Sequence, residues 1–158
     1  MQFTLEHVYA KGVGAVNEDA FVIDEAARRF AVIDGATGLG KWSGELAAAI
    51  LKEALGQTDK SLMDCVRWAN GRLQQELRAA GVDLRELDKS ERSTCGFVAL
   101  EWKGNRLEYV HAGDCMLFLR YADGRIRQVT YDHLAKLDAM SIAEMHGKIL
   151  QLMTGGRM

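Results

Sequence analysis

Three acidic residues stand beside two segments that the sequence predicts to be neighbouring strands. Glu18 and Asp19 precede the apolar run Ala20–Ile23, and Asp34 ends the apolar run Phe30–Asp34. Both runs are rich in β-branched and aromatic residues, which is typical of strands. Because an unpaired buried carboxylate is costly, a carboxylate at the end of such a strand needs a neutralising partner.

A tight turn between the two strands brings the carboxylates together. With the turn centred on residues 26–27, Phe21 pairs with Val32 and Asp19 falls opposite Asp34. Opposed residues have Cβ atoms about 5 Å apart, and like charges so placed repel each other. A hard divalent ion such as Mg²⁺, Mn²⁺ or Ca²⁺ would offset this repulsion. The spacing is equally compatible with carboxylates splayed into water, and a one-residue slip would move Asp19 to the other face.

The bulk properties of the chain are those of one ordinary domain. It has 158 residues, of which 48% are hydrophobic and 27% charged, as is typical of globular proteins. The net charge of −2 and the lack of a basic stripe argue against a nucleic-acid partner. No apolar run approaches the roughly 20 residues of a membrane span, and no signal peptide is seen, so no membrane partner is expected. Three cysteines without metal-ligand spacing predict reduced thiols and a cytoplasmic location.

Helix and strand signals place the acidic residues within an α+β pattern. Ser43 is a cap for a helix over Gly44–Leu55, and Ser61 opens a second helix that ends at Gly81, as the capping and termination rules indicate. Before the acidic residues, Phe3–Tyr9 alternates in polarity, which predicts a strand with one buried face that includes His7.

Beyond Ser93 the periodicity becomes that of strands joined by short turns, which predicts an antiparallel meander. Strands alongside a helix pair indicate an α+β fold. Leu134–Met153 has a weak helical pattern. The four predicted strands are Thr94–Trp102, Arg106–Ala112, Cys115–Tyr121 and Arg125–Thr130.

A second chemistry is suggested by the loop after Asp34. Residues 35–41 match the phosphate-loop pattern G-x-x-x-x-G-K between a strand and a helix. However, Trp42 stands where a serine or threonine would hold Mg²⁺, and Asp34 would direct a negative charge at the phosphates. The antiparallel meander is also foreign to a parallel nucleotide-binding sheet. The hypothesis that this chain binds a nucleotide is therefore supported by this loop alone.

Five short motifs occur in a consistent order along residues 17–133. Together they resemble the metal-dependent serine/threonine protein phosphatases of the PP2C (PPM) family, whose motifs read N-E-D, D-G-x-G-G, S-T-A, N-x-G-D-S and L-T-x-D-H. In this chain they are Asn17-Glu18-Asp19, Ile33-Asp34-Gly35, Ser93-Thr94-Cys95, His111-Ala112-Gly113-Asp114-Cys115 and Val129-Thr130-Tyr131-Asp132-His133.

The resemblance implies a particular fold and domain organisation. The fold would be a PP2C-like four-layer α-β-β-α sandwich of antiparallel sheets, incomplete at the C-terminus. Residues 1–133 would form a partial phosphatase core. Residues 134–158 would form a C-terminal helical segment or a truncated end.

The resemblance also implies a site with two Mn²⁺ or Mg²⁺ ions at one end of the sandwich. Asp34 would bridge the ions, and the carbonyl of Gly35 would be a ligand of one of them. Glu18 and Asp19 would hold metal-bound waters, and Asp114 would lie at a further metal position. Asp34, Glu18 and Asp19 would be the catalytic group, and a metal-activated water would hydrolyse phosphoserine or phosphothreonine.

The chain departs from the family pattern at several positions. Gly14 stands where an arginine usually grips the substrate phosphate, so Lys11 would have to substitute for it. Ala36 replaces the histidine that often acts as general acid in animal members, and Cys115 replaces the serine of G-D-S. The later motifs D-G-x-x-D and D-N, which supply two more aspartates, do not follow His133. Only about the first two thirds of the fold is therefore expected.

Two functions follow from these observations. The first is a metal-dependent protein serine/threonine phosphatase, weak or inactive as this short chain, whose substrate is a phosphoprotein such as a serine/threonine kinase or its target. The alternative is a PP2C-like pseudophosphatase that binds a phosphoprotein or regulatory partner without catalysis. The retained acidic residues favour the first, and the missing aspartates and arginine favour the second. An unfinished sheet would also expose an edge and an apolar face, which predicts self-association.

Overall fold

The structure, a computed structural model, describes residues 4–13, 15–39, 42–88, 91–135 and 139–145. In chain order the elements are β1 (Ala20–Asp24), β2 (Arg29–Ala36), α1 (Gly44–Leu55), α2 (Leu62–Ala79), β3 (Thr94–Lys103), β4 (Arg106–Ala112), β5 (Phe118–Arg120) and β6 (Ile126–Gln128). The predicted mixed α+β class is confirmed.

Strands β1 to β4 form one antiparallel sheet in the order β1-β2-β3-β4. Phe21 pairs with Val32 across β1 and β2, so the predicted hairpin register is confirmed. On the other side of β2, Asp34 pairs with Gly96 of β3. The register therefore brings the Ile33-Asp34-Gly35 motif next to the Ser93-Thr94-Cys95 motif.

The two helices cover one face of this sheet. Ala31 and Ile33 of β2 are buried in the same core as Leu51 and Leu55 of α1, and Leu55 is fully buried. Burial of such side chains contributes about 1.5–3 kcal/mol each. The predicted caps are confirmed, because Ser43 accepts a hydrogen bond from the N–H of residue 45 and Ser61 caps α2.

Arg29 is a fully buried arginine that joins β2 to the end of α1. Its guanidinium donates hydrogen bonds to the carbonyls of Leu55, Gln57 and Lys60 and forms a 3.1 Å ion pair with Glu101 of β3. A cation at the C-terminal end of a helix interacts favourably with the helix dipole. Arg29 therefore fixes the position of α1 on the sheet.

The predicted N-terminal strand over Phe3–Tyr9 is wrong for the described residues of that segment, which have no strand structure and no buried face. A strand needs a partner for its backbone groups, and no described strand pairs with this segment. Instead, the rings of His7 and Tyr9 lie against Phe21, and the Tyr9 hydroxyl donates to the carbonyl of Asp19.

The four strands of the predicted meander are confirmed, as are the antiparallel pairings β3–β4 and β5–β6, but their union in one continuous meander is wrong. Strand β4 ends before the turn at residues 113–114, and β5 and β6 form a separate two-stranded sheet. Both are shorter than the predicted strands Cys115–Tyr121 and Arg125–Thr130. The reason is local, because the backbone N–H of Leu117 donates to the hydroxyl of Thr130 instead of to a backbone carbonyl.

The structure tests the nucleotide-binding hypothesis and the predicted C-terminal helix only in part, because some of their residues lie outside the described residues. The four strand pairings that the structure describes are all antiparallel, which contradicts a parallel nucleotide-binding sheet. Lys41, the lysine of the phosphate-loop pattern, lies outside the described residues. Of the predicted helix Leu134–Met153, residues 139–145 are helical, and 136–138 and 146–153 lie outside the described residues. Neither α1, α2 nor the other described helical turns could cross a membrane.

We expect Arg29→Met to lower the free energy of unfolding by about 3–5 kcal/mol, because it leaves Glu101 buried without its main partner. Denaturant unfolding measures this loss. The control is Lys103→Ala, which removes the second cation near Glu101, at 3.2 Å and half exposed. It should cost much less, because surface ion pairs contribute little to stability. Equal losses in the two variants would contradict this account of Arg29.

Candidate functional site

The carboxylates that the sequence singled out meet at one end of the four-stranded sheet. Asp34 lies on the face of β2 that points away from the helices and pairs with Gly96. Asp114 Oδ1 lies 3.0 Å from the place that a Cβ atom on Gly96 would occupy, so its carboxylate lies directly over that glycine. Asp19, one residue before β1, follows the register that pairs Ala20 with Ile33 and lies close enough to raise the pKa of Asp34. The structure therefore brings together carboxylates from three separate motifs.

Electrostatics at this cluster disfavour the ionised form of Asp34. Partial burial raises the pKa of Asp34, and the neighbouring charge and hydrogen bond of Asp19 raise it further. The charges of Asp114 and Glu18 act in the same direction. The other three predicted acidic residues thus all lie within electrostatic range of Asp34, and together they disfavour its ionised form.

The donor chemistry of this cluster fits a hard divalent ion. Its side chains are carboxylates, the ligands that Mg²⁺ and Mn²⁺ prefer, and a cation beside them would offset the repulsion that raises the pKa of Asp34. Among the described residues, however, no three acidic, histidine or cysteine side chains converge closely enough to enclose an ion. Like charges separate when no cation lies between them.

Glu18 points away from this cluster toward the start of α1. Its Oε2 accepts the backbone N–H of Thr37 at 3.1 Å, and its Oε1 accepts the hydroxyls of both Thr37 and Ser43. The Thr37 hydroxyl in turn accepts the N–H of Gly44 at 2.8 Å. The hydrogen bond from the Thr37 side chain is the main reason that the pKa of Glu18 is lowered. We call these hydrogen bonds among Glu18, Thr37, Ser43 and Gly44 the Glu18 network.

Two glycines allow the backbone segments around the network to touch. A Cβ atom on Gly35 would lie less than 3.0 Å from the carbonyl oxygens of Glu18 and Gly44, and one on Gly44 would meet the backbone of Gly35 and Ala36 as closely. Only glycine permits this approach. The sequence motifs include Gly35, but nothing in the sequence assigned Gly44 more than a place at the start of a helix.

The segment after β6 supports the turn that carries Asp114. Thr130 is fully buried, and its hydroxyl accepts the N–H of Leu117 at 2.8 Å. The N–H of His133 donates to the carbonyl of Gly113 at 3.2 Å, and the rings of His133 and His111 stack with centroids 4.6 Å apart. Sequence reasoning listed these residues only as parts of motifs and missed that two of the motifs pack together.

The chain departs from the family motifs at the phosphate-binding arginine and at two cysteines, and the structure describes most of these positions. Lys11 is exposed, and its ammonium group donates to the carbonyl of Ala15 at 2.6 Å, so its role toward a phosphate stays a prediction. Gly14 lies outside the described residues. Cys95 and Cys115 are free thiols whose pKa values burial raises to about 11. Both are therefore protonated, poor nucleophiles near neutral pH.

A large open cavity lies beside the carboxylates on the face of the sheet opposite the helices, where residues 5–10 form part of its wall. Its volume is about 620 Å³, and its lining joins Asp19 and Asp34 to apolar residues of β1, β2 and β3 and to residues 115–117. Val32 in its floor is 52% exposed, which is unusual for a valine in the middle of a sheet. The cavity gives molecules from solution access to the carboxylate cluster.

No family model matches this sequence, and no curated protein matches it. Solved structures do match. The serine/threonine phosphatase PstP/Ppp of Mycobacterium tuberculosis is 29% identical, with a TM-score of 0.61, over 76% of this chain and 50% of its own. The catalytic domain of PstP in complex with two manganese ions is 26% identical, with a TM-score of 0.63, over 83% of this chain and 56% of its own.

A third structure agrees in fold. PppA, a regulatory component of the T6SS in Pseudomonas aeruginosa, is 24% identical, with a TM-score of 0.61, over 80% of this chain and 54% of its own. This chain thus spans about half the length of the phosphatases that it matches. Over most of its length it has the fold of the PP2C-type serine/threonine phosphatases, and the resemblance to that family that its motifs indicated is confirmed.

Proposed function

We propose that this protein is a divalent-metal-dependent phosphatase that hydrolyses phosphoserine or phosphothreonine in a phosphoprotein. The observation that carries the proposal is that Asp19 and Asp114 lie within electrostatic range of Asp34 at one end of the sheet, beside an open cavity. The similarity to serine/threonine phosphatases supports the same chemistry.

The ion-binding residues in this proposal are Asp34, Asp19 and Asp114, together with the backbone carbonyl of Gly35. Glu18 is proposed to act toward a metal-bound water. Bound Mn²⁺ or Mg²⁺ would activate water and offset the charge of the transferring phosphoryl group. The chain itself contributes the negative potential that attracts the ions, and a bound ion would favour the ionised form of Asp34.

The same negative potential determines the order in which the divalent ion and the substrate bind. Four carboxylates in electrostatic range repel a phosphate group, so the substrate binds favourably only after a divalent ion has neutralised the cluster. The partner that fits this chemistry is a phosphoprotein. We propose that this phosphoprotein is a cytoplasmic serine/threonine kinase or the target of such a kinase.

We expect Mn²⁺ to raise the melting temperature of the wild-type chain by mass action, because an ion that binds only the folded state stabilises it. Asp34→Asn should remove this shift, whereas Asp123→Asn, at an exposed carboxylate paired with Arg125, should keep it. An equal Mn²⁺ response in the wild type and Asp34→Asn would contradict the site. The same proteins, assayed on a phosphothreonine peptide with Mn²⁺, should show weak turnover that only Asp34→Asn abolishes.

Without metal, the raised pKa of Asp34 predicts a specific pH dependence. The folded state holds the proton more tightly than the unfolded chain, so stability falls as pH rises from the unfolded pKa of about 3.9 through the folded pKa. Asp34→Asn should therefore stabilise the metal-free protein near pH 7, by up to about 1 kcal/mol at this largely exposed site. This gain should vanish below the unfolded pKa. A destabilised Asp34→Asn variant at pH 7 would overturn this explanation of the cluster.

A further inference from the structure

Thr37 places a hydroxyl where the PP2C motif D-G-x-G-G has a glycine. Three residues after Asp34, it lies in the loop that leads from β2 toward α1. Glycine has no side chain with which to bond a carboxylate, whereas threonine has a hydroxyl that can both donate and accept. A hydrogen bond from this side chain to a carboxylate is therefore not implied by the family motif.

Thr37 contacts Glu18 through both its backbone and its side chain. Its N–H donates to Oε2 at 3.1 Å and its hydroxyl donates to Oε1. Ser43 adds a third donor, to Oε1 at 3.0 Å. Three of the roughly four acceptor positions of the carboxylate are thus directed to the loop and to the start of α1, not toward Asp34.

The network also has an anchor in the helix. The hydroxyl of Thr37 accepts the N–H of Gly44, and Ser43, besides donating to Glu18, accepts the N–H of Glu45 as the helix cap. Hydrogen bonds to an ionised carboxylate are about twice as strong as neutral ones, and the N-terminus of a helix favours a negative charge nearby. Each member therefore holds the others in place.

We propose that Thr37 and Ser43 hold the Glu18 carboxylate at the start of α1, so that the carboxylate must leave this network before it can act toward a metal ion. Thr37 is then a positioning residue that lowers the affinity of the site for divalent ions. This metal consequence rests on the proposed function, whereas the hydrogen-bond coupling between Glu18 and Thr37 does not.

The coupling is tested first in metal-free protein. A double-mutant cycle with Glu18→Gln and Thr37→Val, read by denaturant unfolding, isolates the interaction of the two side chains. We expect Thr37→Val to destabilise the protein clearly more in the Glu18 background than in the Glu18→Gln background. Thr37→Ser, which keeps the hydroxyl, should restore most of the stability. Equal effects of Thr37→Val in both backgrounds would overturn the network.

The metal consequence is tested by calorimetric titration of Mn²⁺ into the same variants. Thr37→Val should tighten Mn²⁺ binding by up to about tenfold, the factor that 1.4 kcal/mol of released competition would give. Thr37→Ser should bind Mn²⁺ like the wild type. In the Glu18→Gln background, Thr37→Val should have no effect, because no carboxylate is released.

The outcomes separate this proposal from the proposed function. If the wild type binds Mn²⁺ and Thr37→Val leaves binding unchanged or weakens it, the positioning role is overturned while the metal site stands. If no variant binds Mn²⁺ although the metal-free coupling is present, the proposed function fails, and the effect of Thr37 on metal affinity fails with it. Tighter binding that depends on Glu18 supports both proposals.

Discussion

The close contact of three backbone segments at Gly35 and Gly44 is the constraint on which the site depends. The carbonyl of Glu18, the turn out of β2 and the first residue of α1 approach so closely that no side chain fits between them. This contact fixes the end of β2 that carries Asp34 and the position of Glu18. It also places the start of α1 beside Glu18. There the hydroxyl of Ser43 donates to the Glu18 carboxylate, and the hydroxyl of Thr37 accepts the N–H of Gly44.

The carboxylate cluster follows from that contact and carries an energetic cost. Asp34 is held near Asp19 and Asp114, so its ionisation is disfavoured and the metal-free fold carries stored repulsion. Buried Arg29 and the apolar contacts of α1 stabilise the opposite face of the same sheet. Such an arrangement, a rigid helix-backed sheet with an unfavourable cluster of like charges at one end, is typical of a functional site rather than a structural one.

Much of this arrangement could be predicted from local sequence patterns. The β1–β2 register, both helix starts and the approach of Asp19 to Asp34 follow from alternation, turn length and capping residues. Three features could not be predicted so. The Phe3–Tyr9 segment has the alternation of a strand but no described partner. The β5–β6 ladder is shortened by a side-chain hydrogen bond at Thr130. The hydrogen bonds between Glu18 and Thr37 join residues that are 19 positions apart. Each depends on tertiary contacts that periodicity does not record.

The central claim is that a divalent ion binds between Asp19, Asp34 and Asp114. Paramagnetic broadening of backbone amide resonances by substoichiometric Mn²⁺ tests it most directly. Broadening should be strongest around residues 18–19, 34–35 and 113–115, should spare the far end of α2, and should be lost in Asp34→Asn. Broadening centred elsewhere, for example at the stacked His111 and His133, or unchanged in Asp34→Asn, would contradict the account.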